Sequence, residues 1–220
     1  MVTRFFFPLD TASDVNPAFG GWVENDGMLR RKTVTTKGAS TITIGTRLSW
    51  AAGTNQGDRQ YVSSPMDAGN VFTTATTFKS QLMTREYNLG DNSTSRLIVK
   101  IVSEDGNTLR ATLLALAQFG PATEYINNAT HRNKTFADGD TSQVNYTTVA
   151  GDRFVIEIGH ADATGATPEA SSKWGENATD LPENETQTTD GAGWFETSLT
   201  ITFQAPTEVT RQVQWIQDDA

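Results

Sequence analysis

SRLIVKIVSEDGNTLRATLLALAQF, residues 95–119, decides the fold. Its first arm alternates, with Leu97, Val99 and Ile101 on one face, which is the period of a half-buried strand. Glu104-Asp105-Gly106-Asn107 follows, and Asp-Gly tolerates the positive φ angles that a tight β-turn needs. The second arm, TLRATLLALAQF, could form a helix by composition. Its length and its position after a hairpin turn make it the return strand.

Working outward, the same alternation recurs. Residues 153–160, RFVIEIGH, follow the turn pair Gly151-Asp152 and put Phe154, Ile156 and Ile158 inward, with Arg153, Val155 and Glu157 on the other side. TITIGTRLSW (41–50) places Ile42 and Ile44 on one face. Residues 71–87 read as one long strand, or two with a bulge near Lys79. RFFFPL is the first strand and FETSLTITF (195–203) the last. The stretch from Asp162 to Gly193, rich in Gly, Thr, Asn, Asp and Glu, reads as a loop excursion. Thr is abundant, and β-branched residues suit a pleated surface. The expected architecture is therefore an all-β, antiparallel β-sandwich of jelly-roll type with a C-terminal extension. It comprises a sandwich domain, 1–204, and an arm, 205–220, whose apolar anchors are Trp215 and Ile216.

Composition narrows the function. The 220 residues carry no cysteine and a net charge of -9, with pI ≈ 4.7. Disulfide and zinc-thiolate chemistry is excluded. A phosphate backbone is bound through a basic surface, and only Arg30, Arg31 and Lys32 cluster, so nucleic acid is not an expected partner. Neither is a membrane: ATLLALA (111–117) is far shorter than the ~20 apolar residues of a spanning helix, and MVTRFFFPLD lacks the apolar run of a signal peptide. Asn-x-Ser/Thr triplets at Asn92, Asn128, Asn133, Asn145, Asn177 and Asn184 are what chance gives an Asn- and Thr-rich chain.

Reactive groups are sparse. His160 continues the inward face of its strand and reads as a satisfied histidine at the core edge; His131, in a polar stretch, reads as exposed. Glu157 and Asp162 flank His160 in EIGHAD, but a glycosidase needs two carboxyls at a set separation on opposite sides of the bond, and Glu157 points outward while Asp162 lies at the strand end. ADGDT (137–141) and DLPENE (180–185) concentrate oxygen ligands without the ordered spacing of a calcium loop. The expectation is no enzyme, no cofactor and no metal. Sugar binding competes, because exposed aromatics stack on pyranose rings. Among Trp22, Trp50, Trp174, Trp194 and Trp215, Trp174 in the polar stretch is the candidate platform.

TRFFFPLD with PAFGGWVE, RQYVSSPM, IVSEDGNTLRATLLAL, GDRFVIEIGHAD and DLPENETQTTDGAGWFETSLTITF together span Thr3 to about Phe203. In order and spacing they resemble tailed-bacteriophage virion structural proteins with a jelly-roll-like sandwich. The resemblance implies a virion component, foremost an exterior capsid decoration or cement protein, whose partners are other capsid or tail subunits. It implies a homo-oligomer, with a trimer as the leading arrangement, and no catalytic residues. Phe5 and Phe7 of the first strand and Trp215 and Ile216 of the arm are the expected subunit contacts. The alternative is a carbohydrate-binding adhesion module of a tail or tail fibre, binding a host surface glycan through Trp174.

Overall fold

The computed structural model describes residues 2–88, 90–118, 125, 130–135, 140–162, 167–179 and 190–205. Among them there are fifteen strands and no helix. The strands are β1 (Thr3–Phe6), β2 (Leu29–Lys32), β3 (Thr43–Ile44), β4 (Leu48–Ser49), β5 (Asn55–Val62), β6 (Val71–Phe72), β7 (Thr77–Glu86) and β8 (Ser93–Val102). They continue as β9 (Leu109–Gln118), β10 (Arg132–Thr135), β11 (Asp140–Thr141), β12 (Tyr146–Thr147), β13 (Arg153–Asp162), β14 (Glu169–Trp174) and β15 (Trp194–Thr197).

Two main sheets face each other. One has five strands in the order β2-β5-β13-β8-β9; the other has eight, along β1-β15-β7-β14-β3, with β10 and β11 also on β7 and β4 also on β14. Their inner faces share one core. Phe5, Phe78, Leu82, Trp174 and Phe195 come from the larger sheet, and Tyr61, Leu97, Val99, Ile101, Leu113, Phe154, Ile156 and Ile158 from the smaller. Phe154 stacks on Phe5 at 5.0 Å and also meets Phe72 and Phe195. This is a β-sandwich, antiparallel throughout its main ladders except for the parallel pair β2–β5.

The β8–β9 hairpin forms as the alternation predicts, with Gly106 at φ 77° in its turn. Edge strand β9 is bulged at several points against β8, a device that keeps a sheet edge from pairing with another chain.

Other segments depart from the expectation. Residues 71–87 divide at a turn, where Thr76 N donates to Thr73 O at 2.8 Å, leaving β6 and β7 separate. TITIGTRLSW contributes only the two-residue strands β3 and β4, and Ile44 is exposed. FETSLTITF stays in the sheet only to Thr197, with Phe203 bridging Met66 beyond it. The supposed loop excursion contains β14, bonded to the central strand β7 from Ala170 to Lys173. EASSKW hides this role because three of its four buried positions are the small residues Ala170, Ser171 and Ser172, with Trp174 the fourth; a single large apolar residue gives no period to read.

The outer face of the five-stranded sheet is covered as well. Residues 13–28 run over it as a strap: Val15 packs on Val62, Val102 and Val155, while Phe19, Trp22 and Met28 pack on Ile98 and Leu116. Strands buried on both faces follow from that strap. Gly159 marks the closest approach, since a Cβ there would lie 2.1 Å from Gln56 O and 2.6 Å from the Trp22 ring.

Candidate functional site

Glu157 is the centre of the strap's attachment. It projects from the outer face of β13 and is fully buried. One carboxylate oxygen, Oε2, accepts from Gly20 N at 2.9 Å and from Trp22 Nε1 at 2.7 Å. The other, Oε1, accepts from Gln60 Nε2 at 2.8 Å and pairs with the Lys100 ammonium, which also donates to Ala18 O. Lys100 is 4% exposed. A buried carboxylate and a buried ammonium thus satisfy each other and hold both ends of Ala18–Trp22. A second anchor lies four residues away on the same face of β13: Arg153 grips Asp14 through Nη1 and Nη2, each at 3.0 Å, and donates to Glu104 O and Ser63 O. Such a two-pronged pair fixes geometry as well as charge.

Beside the strap lies a mainly apolar cleft of about 470 Å³, with Ile98, Val102 and Leu116 on its sides, Phe19 from the strap and Leu109 on the rim. Leu109 is 59% exposed. The Arg30 guanidinium covers the Phe19 ring at 3.9 Å.

The inner face carries a separate polar cluster. The β5–β13 register shifts at Ile158/Gly159, so Asp58 is the extra residue of a bulge. Asp58 Oδ2 comes within 3.4 Å of His160 Nε2. His160 Nδ1 meets Tyr125 Oη at 2.6 Å, Tyr125 meets Ser95 Oγ at 2.8 Å, and Trp50 stacks on the imidazole. Burial pushes the Tyr125 phenol far above its usual range. His160 is fully buried; its Nδ1 is bonded to Tyr125, but its Nε2, facing Asp58, has no hydrogen-bond partner among the described residues, so it is only half the satisfied histidine expected at the core edge. It and Glu157 lie on opposite faces of β13, so the groups of EIGHAD do not converge; the Asp162 side chain lies outside the described residues.

His131 is buried, not exposed as its polar surroundings predict: it is 4% exposed, with Nε2 2.9 Å from Ser171 Oγ. Pairing of Arg132–Thr135 with β7 pulls the preceding residue under the sheet. Burial, with the charges of Lys173 and Arg85 adding to it, lowers its pKa from 6.5 to about 4. The unfolded chain therefore binds more protons than the folded one between these values, and stability falls as pH drops through that window. Urea midpoints measured between pH 7 and pH 4.5 should show this decline, and His131→Gln should flatten part of it.

Phe5 and Phe7 are fully buried, Phe5 against Phe154 and Phe7 against Tyr61 and Trp174, so the core and not a neighbouring subunit receives them. Trp174 is 0% exposed, inside the same core. Its position on β14 and not in a loop removes it as a sugar platform. Trp22, Trp50 and Trp194 are buried too. Trp215 and Ile216 lie outside the described residues, as do DLPENE and most of ADGDT. The strap's attachment was missed at the sequence level, although Glu157 amid apolar residues, and Gly-Gly-Trp, were its visible signals.

No family model matches the chain, and no curated protein matches it. Among solved structures it is similar to the VP2 subviral particle of infectious bursal disease virus, at 10% identity over 86% of this chain and 48% of that one, with a TM-score of 0.32. T=1 particles derived from the same virus match at 11% identity, 90% and 49% coverage and a TM-score of 0.29. A CocE/NonD family hydrolase from Staphylococcus aureus matches at 8% identity, 92% and 34% coverage and a TM-score of 0.26. The chain spans about half the length of the viral structures. Likenesses this slight carry no argument about function.

Proposed function

We propose that this chain is a structural, non-catalytic component of a virion, foremost an exterior capsid decoration or cement protein assembled with copies of itself and with other virion subunits. One observation carries the reading. PAFGGWVE and GDRFVIEIGHAD, two of the stretches in which the chain resembles phage virion proteins, are joined to each other by Glu157 across 135 residues of sequence. The most distinctive motifs thus lock the strap to the sheet. Both oxygens of the Glu157 carboxylate are already taken by protein donors, which leaves neither for acid–base chemistry. A coat component needs no reactive site, and symmetric assembly lets a modest interface hold it in place by avidity.

The arm supplies the first test. Deleting residues 205–220 should leave the far-ultraviolet circular dichroism of the sandwich close to that of the full chain. Incorporation into particles should fall at least tenfold, read by immunoblot of purified particles. Unchanged incorporation would remove the arm from the assembly contacts.

A further inference from the structure

We infer that the cleft beside the strap is the seat of Trp215 and Ile216 from the chain's own C-terminal segment. The cleft offers about 470 Å³ between Phe19, Ile98, Val102 and Leu116, with Leu109 exposed on the rim. Residues 206–220, outside the described residues, contain one adjacent pair of large apolar side chains, Trp215-Ile216, followed by Asp218-Asp219. Arg30, lying over Phe19, places a cation at the same wall. An apolar pair followed by carboxylates matches an apolar cleft with a guanidinium at its side.

The path is short enough. Gln204 lines a groove with Lys32 and Ser63, at the end of the five-stranded sheet where Val62 pairs with Val155 and Val102 with Arg153. The β8–β9 turn, whose Gly106 and Asn107 line the cleft, is at this same end. From β5 to the β8–β9 pair is about three strand spacings, ~14 Å, and passing from the inner to the outer face adds ~10 Å. Residues 206–214 span up to ~30 Å when extended. A tethered segment within reach has a high effective concentration at its seat, which favours the chain's own arm over one from solution. Only a later step rests on the virion reading: identical arms and clefts allow exchange between neighbours during assembly, as in domain swapping.

The chain has no cysteine, so introduced thiols report alone. In the full-length free subunit, Leu116→Cys with Ile216→Cys should oxidise to an intramolecular disulfide, seen as a monomer that loses both thiol hydrogens in intact mass and regains them with reductant. Ile44→Cys with Ile216→Cys, on the opposite sheet, sets the background. A disulfide-linked dimer would overturn the seat in favour of a second copy's arm, and linking no better than the control would overturn the cleft altogether. If the double variant does not fold, trypsin cleavage after Arg211 in full-length Leu116→Asp gives the answer. Cleavage several-fold faster than in the parent chain supports the seat, and an equal rate rejects it. Neither readout involves particles, so the inference can fail while the virion reading stands, and the reverse.

Discussion

Glu157→Ala should destabilise the fold by about 3–5 kcal/mol, the cost of leaving a buried charge without its partner. Lys100 is 4% exposed, and its ammonium reaches only Glu157 and Ala18 O in the described structure. The same substitution strips the acceptor from Trp22 Nε1, Gly20 N and Gln60 Nε2. Urea denaturation of the variant would measure the loss, and hydrogen exchange should show the strap amides losing protection ahead of β8 and β13. The pair, and not the carboxylate alone, sets the effect. Glu157→Gln keeps an oxygen for Trp22 and Gly20 but leaves Lys100 charged; combining it with Lys100→Met should recover most of the stability. A buried ion pair replaced on both sides is often close to neutral, and contacting residues are expected to be non-additive. A double variant no more stable than Glu157→Ala would show that the strap depends on something other than this pairing.

The second large effect is at Trp174. Truncation to alanine should cost about 3–5 kcal/mol, the range for an aromatic removed from a core, and lower the melting temperature by roughly 6–20 °C for a domain of this size. The indole sits fully buried against Phe7 at 6.0 Å and Tyr61 at 5.7 Å, with the Arg59 guanidinium over its ring. A surface sugar platform predicts the opposite pattern, with stability unchanged and glycan binding lost. Thermal unfolding of Trp174→Ala beside a glycan array distinguishes the two outcomes.

Trp174 also shows where sequence reading stops. Leu97, Val99, Ile101 and Phe154, Ile156, Ile158 announce their strands because large apolar residues recur every second position against turn signals. EASSKW buries a strand with the same geometry, but the small residues Ala170 and Ser172 precede Trp174 on its inward face, and one large apolar residue makes no alternation to read. His131 is hidden for the same reason, its burial coming from the pairing of β10 with β7. RFFFPL reads as a strand and β1 forms within it, with Phe7 one residue past its end, yet whether its aromatics face a core or a neighbour depends on the second sheet. The strap is illegible locally because Val15, Phe19, Trp22 and Met28 follow no period. Its anchor, Glu157, acquires meaning only when β13 brings it under residues from the far end of the chain. The bulge that turns Asp58 toward His160 is likewise a property of the β5–β13 pairing and not of either strand.

The most direct test of the virion reading is co-sedimentation of the purified chain with particles that lack it, together with the chain's solution mass. The reading predicts an oligomer that pellets with the particles, saturates at a fixed ratio to the major coat subunit and survives washing. A monomer that stays in the supernatant at every concentration would contradict it.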